Sequence, residues 1–134
     1  MIVAGRRVHL DTHVVVWLHT GQADRLSAVA RELIETCRVQ VSGTVELELT
    51  YLHEIGRGTT PASDVLQSLA SSLDLSVSPT GLAAIAHGAR SLTWTRDAFD
   101  RLICANAAVD DALLITRDRL IRQHFERAVW DGSA

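Results

Sequence analysis

The chain has 134 residues, 47% of them apolar and 22% charged, with a formal net charge of −3 at pH 7. That length supports one hydrophobic core burying about 65–70% of the unfolded surface, and the apolar content excludes a disordered chain. The acidic balance excludes a global attraction to nucleic acid, and all 13 basic residues are Arg, so any mechanism that requires a Lys is excluded.

Cys37 and Cys104 have no metal-type spacing and imply free thiols in an intracellular protein. Residues 1–10, MIVAGRRVHL, lack the apolar core of a signal peptide. The longest strongly apolar run, residues 14–18, is far too short to span a bilayer. With no internal repeat or linker, the expectation is one soluble, cytoplasmic domain over residues 1–134 with no membrane association.

In chain order, Val8-His9-Leu10 predicts a strand over residues 7–10 that breaks at Asp11, with Thr12 placed to cap the following helix. Leu26, Val29, Ala30, Leu33, Ile34 and Cys37 recur at three- and four-residue steps and predict a helix over residues 24–37, capped by Asp24. A second strand follows over residues 39–42 and ends in a Ser-Gly-Thr corner; strand, helix, strand is a parallel crossover unit. The next helix, from about residue 44 to residue 55, buries Val45, Leu49, Leu52 and Ile55. Its Glu46 and Glu48 lie about 200° apart around the axis, so they cannot share a face. Glu48, three after Val45 and four before Leu52, borders the buried stripe, and Glu46 points away.

Residues 56–61, GRGTTP, predict a turn. Val65, Leu66, Leu69, Ala70 and Leu73 mark a further helix, residues 75–78 a strand stopped by Pro79, and Leu82, Ile85, Ala86 and Ala89 another helix face. The stretch from Trp94 to Asp118 then opens on a polar corner, Thr95-Arg96-Asp97, and enters a helix with Asp100 near its start. It turns at Val109-Asp110-Asp111, rises through a strand over residues 112–115 and ends on Thr116-Arg117-Asp118. A short helix over residues 120–125 and an edge strand over 128–130 close the chain. Alternating strands and helices predict an α/β sandwich with a mostly parallel central sheet.

Three distant corners of such a sheet present carboxylate: Asp11, the Asp97/Asp100 pair, and Asp118. Taken singly, Asp97 with Asp100 makes a capping-box arrangement and Asp118 caps a helix. Together they would meet where open parallel sheets bind ligands, at the strand carboxyl ends. Like charges at that range repel by about 1 kcal/mol per pair in water, so the cluster persists most readily around a cation. His9, Asp11 and His13 would form a metal trio only if the first strand ran past Asp11. A haloacid-dehalogenase phosphatase needs a second Asp two residues after the first, where this chain has His13, and also a Lys. A receiver domain fails on the same missing Lys.

In these residues the chain resembles a PIN-domain ribonuclease, specifically the VapC-type toxin of a VapBC toxin–antitoxin pair. The matching pieces are LDTHVVVWL, SGTVELELTYLHEIGRG, RDAFDRLICANA and LLITRD, in the family's order across nearly the whole chain. The resemblance implies a PIN-like three-layer α/β/α sandwich whose acidic residues fall on Asp11, Glu48, Asp100 and Asp118. Asp97 matches a further acid found in one branch. That branch usually has Pro next, and Ala98 here bears on helix entry rather than on chemistry.

Such a nest of Asp and Glu oxygens suits Mg²⁺ or Mn²⁺ rather than Zn²⁺, as one or two ions. Asp11 and Asp100 are the expected principal ligands, with Glu48 and Asp118 holding an ion or a water. Thr12 and Thr116 either support these carboxylates through their hydroxyls or are ordinary cap and strand-end residues. Arg96, Arg101, Arg117, Arg119 and Arg122 are candidates for binding RNA phosphates, or else solvated side chains paired locally with Asp. The resemblance further implies a cognate antitoxin and a homodimer, with Trp17, Leu18, Leu49, Tyr51 and Leu52 as the candidate apolar contact. The alternative is a catalytically inactive PIN-fold scaffold, although a degenerate copy would be expected to have lost one of the four acids.

Overall fold

Arg7–Leu10 forms β1 at the centre of the sheet, and Val8, His9 and Leu10 have no exposed surface. Such burial is expected of a strand covered on both faces. The computed structural model describes residues 6–58 and 60–131. Within them β1 leads to α1 (Thr12–His19), a 3-10 turn (Ala23–Arg25), α2 (Ala28–Thr36) and β2 (Arg38–Val41). The chain continues through α3 (Gly43–Glu54), α4 (Ala62–Leu73), β3 (Ser76–Val77) and α5 (Leu82–Ala89). It ends with α6 (Ala98–Val109), β4 (Leu113–Ile115), α7 (Arg119–His124) and β5 (Ala128–Val129).

All the described strands pair in parallel, in the order β3-β2-β1-β4-β5, with Val8 opposite both Val39 and Leu113. Helices cover this sheet to give the expected three-layer α/β/α sandwich. The chain builds outward from β1 to β3, then returns to the other side of β1 for β4 and β5. This reversal opens a crevice between the carboxyl ends of β1 and β4, where open α/β sheets bind ligands. The Asp11 N–H donates to the Ile115 carbonyl at 3.0 Å and ties those two ends together.

Several boundaries differ from the sequence expectation. The helix expected over 24–37 begins at Ala28, and its cap is Ser27, whose hydroxyl accepts from the Ala30 N–H at 3.0 Å. Leu26 is extended, with φ −78° and ψ 142°, and reaches the core from outside the helix. Asp11 itself caps α1, and Thr12 is the first helical residue. Ile55 and Leu82, expected on buried faces, are exposed. Thr59, within the expected turn, lies outside the described residues, as do residues 1–5 and 132–134 of the expected domain.

The trio of His9, Asp11 and His13 does not form, because β1 ends at Leu10 and Asp11 caps α1, as the break expected at Asp11 implies. His9 Nε2 instead meets Asp110 Oδ2 at 2.9 Å, whereas His13 is exposed on α1. The same carboxylate accepts from Ser78 Oγ at 2.6 Å, from Asn106 Nδ2 at 3.1 Å and from Thr80 Oγ1. One side chain thus joins β1, the β3–α5 connection and the end of α6. Burial pushes His9 below its ordinary range, against the pull of Asp110, so its neutral ring donates Nε2–H. Burial alone would raise Asp110, but the Ser78 and Thr80 hydrogen bonds and His9 outweigh it and hold the carboxyl low.

Removing a buried acceptor strands its donors at about 1–3 kcal/mol, more for charged groups. Asp110→Ala should therefore cost about 3 kcal/mol in urea unfolding at pH 7. His9 adds a pH signature. Its folded pKa lies below the unfolded value near 6.5, so its contribution is present above that pH and lost as pH falls. His9→Gln keeps a donor to Asp110 without this proton uptake, and its stability relative to wild type should rise from pH 7 to pH 5. A pH-independent difference would mean that His9 does not titrate on unfolding.

Candidate active site

Asp11 stands first after the central strand and is only 6% exposed. Its Oδ1 accepts from the Thr12 N–H at 2.8 Å, which starts α1, and its Oδ2 accepts from Thr116 Oγ1 at 2.6 Å across the crevice. Burial pushes its carboxyl up, and the hydrogen bonds from Thr116 and Thr12 oppose that push. The Thr116 hydroxyl also accepts from the Asp118 N–H at 3.0 Å, so one buried side chain links both acids.

Glu48 lies half-buried on α3 between the core residues Val45 and Leu49, whereas Glu46 is exposed, as the helical-face argument predicts. Its Oε1 accepts from Thr12 Oγ1 at 2.5 Å. Burial raises its pKa, the Thr12 bond lowers it, and Asp11 and Asp97 push it up again. Thr12 and Thr116 therefore both support acids, in addition to their places at a helix start and a strand end.

Asp97 and Asp118 do act as caps. Asp97 Oδ1 accepts from the Asp100 N–H and Asp118 Oδ1 from the Ile121 N–H, each at 3.0 Å. Asp100, half-buried in the first turn of α6, is pushed up to about 7, first by burial and then by Asp97, Asp11, Asp118 and Glu48. Acids from four separate chain segments thus act electrostatically on one carboxyl at the end of the sheet.

These carboxylates share an edge without closing on a point. Among the described residues, no group of three or more His, Cys, Asp or Glu side chains is arranged to hold a metal ion. Asp97 and Asp118 are fixed in place by their caps on α6 and α7. The donor chemistry nonetheless fits a hard divalent ion, because every acid at this edge offers carboxylate oxygen.

Among the arginines, Arg101 donates to the Ala89 carbonyl at 3.0 Å and the Arg90 carbonyl at 3.3 Å, closing the end of α5. Arg122 pairs with Asp131 at 3.1 Å. Arg96, Arg117 and Arg119 are exposed and make no ion pair among the described residues. Sequence reasoning did not connect Cys104 to this site. It lies one turn after Asp100, fully buried, and its thiol is pushed up by burial and by Asp11, Asp100 and Asp118. The four-residue spacing from Asp100 was the available signal.

The raised Asp100 carboxyl makes a prediction about the metal-free protein. An acid whose folded pKa exceeds its unfolded value stabilises fully below the unfolded value, near 3.9. That stability is lost as pH rises through the folded pKa, here about 7. In EDTA, the melting temperature of Asp100→Asn relative to wild type should rise by about 5 °C between pH 5 and pH 8. A gap that stays constant over this range would mean an ordinary carboxyl at position 100.

The family model of the PIN domain matches residues 8–125, a span that contains all four acids. No curated protein matches the chain. Among solved structures it is similar to VapBC2 from Rickettsia felis bound to a DNA fragment from their promoter, with a TM-score of 0.65 at 18% identity over 93% of this chain and 99% of that one. A similar fold is found in VapBC-1 from nontypeable Haemophilus influenzae, with a TM-score of 0.65 at 15% identity over 93% and 96% of the two chains. A domain of a functionally unknown protein from Methanocaldococcus jannaschii DSM 2661 gives 0.58 at 22% identity over 97% and 94%. At these identities the structural likeness is one of fold. The family match together with the acids it spans leads to one assignment: the chain belongs to the PIN domain family.

Proposed function

We propose that this protein is a metal-dependent endoribonuclease that hydrolyses RNA phosphodiester bonds as the toxin of a cytoplasmic toxin–antitoxin pair, inhibiting translation and growth. The observation that carries this reading is Asp100. Its half-buried carboxyl stands among four other acids that press it upward and accepts no hydrogen bond among the described residues, which supports a cation-binding role over a purely structural one. Asp11, Asp100, Glu48 and Asp118 would hold one or two Mg²⁺ or Mn²⁺ ions. When bound, such an ion polarises the scissile phosphate and lowers the pKa of a bound water.

The chain's own residues supply orientation. Thr116 and the Thr12 N–H fix the Asp11 carboxylate, and the Thr12 hydroxyl aims Glu48. Arg96, Arg117 and Arg119 offer guanidinium groups to an incoming backbone.

For the partner, Leu47 and Tyr51 on α3 and Ile55 at its C-terminal cap stand at four-residue steps, exposed by 61%, 48% and 48%. An antitoxin or a second copy would cover this stripe. Leu49, included in the earlier candidate patch, belongs to the core. Two of the similar structures are of VapBC pairs, which supports an antitoxin partner. The open spacing of the acids favours the second reading, an inactive scaffold.

Cleavage of a single-stranded RNA pool with Mn²⁺ separates the two. The nuclease reading expects cleavage that EDTA abolishes, a loss of at least about 100-fold in Asp11→Asn, Asp100→Asn and Glu48→Gln, and retained activity in Glu46→Gln. RNA bound but never cut would establish the scaffold, and equal losses at both glutamates would overturn the assignment of Glu48.

A further inference from the structure

Trp17 on α1 is half-buried beside the acidic edge, and two guanidinium groups lie against its ring. The Arg25 Cζ is 5.7 Å and the Arg117 Cζ 6.0 Å from the indole centroid. Trp130 meets the indole edge-on at 6.0 Å, so the ring is braced from the core side. Arg117 stands between Thr116, which binds Asp11, and Asp118. Arg25 arrives from the 3-10 turn.

Both arginines are exposed, and neither makes an ion pair among the described residues, even though Asp24 and Asp118 adjoin them in sequence. Each cation–ring contact at an exposed site is modest, so the indole positions each guanidinium without using its N–H donors. Neither side chain donates to an acceptor among the described residues, so both forks are open to the anionic oxygens of a phosphate chain. Guanidinium planes and indoles also accept stacked, unpaired bases.

We propose that Arg25 and Arg117, gathered on Trp17, form a clamp for the phosphate backbone of single-stranded RNA beside the acidic edge. This rests on the ribonuclease reading and names the form of its substrate. The clamp grips backbone and therefore weakens binding alike for every sequence when it is lost. Arg25 serves as a positioning residue with no part in bond cleavage.

The test uses Asp100→Asn in EDTA, which prevents cutting, and a short fluorescent single-stranded RNA titrated at several salt concentrations. In that background Arg25→Gln and Arg117→Gln should each weaken binding by about fivefold. Each should also lower the slope of log affinity against log salt by about 0.7, one phosphate contact. Trp17→Leu should approach the double Arg variant, Trp17→Phe should retain most binding, and Arg31→Gln, exposed on α2, should match the background. RNA affinity and slope unchanged in both Arg variants would overturn the clamp while leaving nuclease activity to stand on its own assay. Absent RNA binding, with Arg-dependent binding of polyglutamate, would overturn it in favour of an acidic protein partner. Arg-dependent RNA binding by a protein that cuts no RNA with Mn²⁺ would uphold the clamp and sink the nuclease reading.

Discussion

The hydrogen bond from Thr116 to Asp11 is the contact on which the acidic edge depends. It spans the point where the chain changes direction across the sheet, and it holds a carboxylate with only 6% of its surface exposed. A charge-assisted bond of this kind is worth about 1.5–3 kcal/mol, enough to offset part of the burial that pushes Asp11 upward. From it the remaining geometry propagates. Asp11 starts α1, α1 presents the Thr12 hydroxyl to Glu48, and Thr116 receives the amide of Asp118. Three acids from distant parts of the chain, Asp11, Glu48 and Asp118, are thereby referred to one strand end.

Two aspartates, Asp110 and Asp100, show how local donors set the behaviour of a carboxyl. Asp110 collects donors from His9, Ser78, Thr80 and Asn106, and its carboxyl is held low. Asp100 receives no such donors among the described residues, faces only like charges, and is held high. They sit at opposite ends of α6, and the helix dipole would favour the ionised form at Asp100 rather than at Asp110, so helix position does not account for the difference. The count of donors does.

Periodicity made the parallel architecture, the acidic corners and the inward side of Glu48 legible in the sequence, because each follows from local spacing. The start of α2 was not legible. Leu26 extends the apolar stripe and looks helical, yet it reaches the core from an extended backbone while Ser27 takes the cap. The role of Asp110 was hidden because its main partner, His9, lies 101 residues away; by spacing alone it was one polar residue of a turn. The same holds for Arg101, whose carbonyl acceptors belong to another helix. Ile55 shows the limit in the opposite direction: an apolar period cannot tell a face that meets the core from one that stays bare.

The two cysteines are chemically unequal for the same electrostatic reason that sets the acids apart. The thiolate is the form that reacts with oxidants and alkylating agents. At Cys104 that form is suppressed by burial and by the negative charge of Asp11, Asp100 and Asp118. Cys37, half-buried at the entrance to β2, sits at the amino end of the sheet, away from those acids. Peroxide or maleimide would therefore reach Cys37 first and mark the molecule at a single position remote from the crevice. The acidic edge is thereby insulated from the redox state of its surroundings, even though a sulfur atom lies directly beneath it.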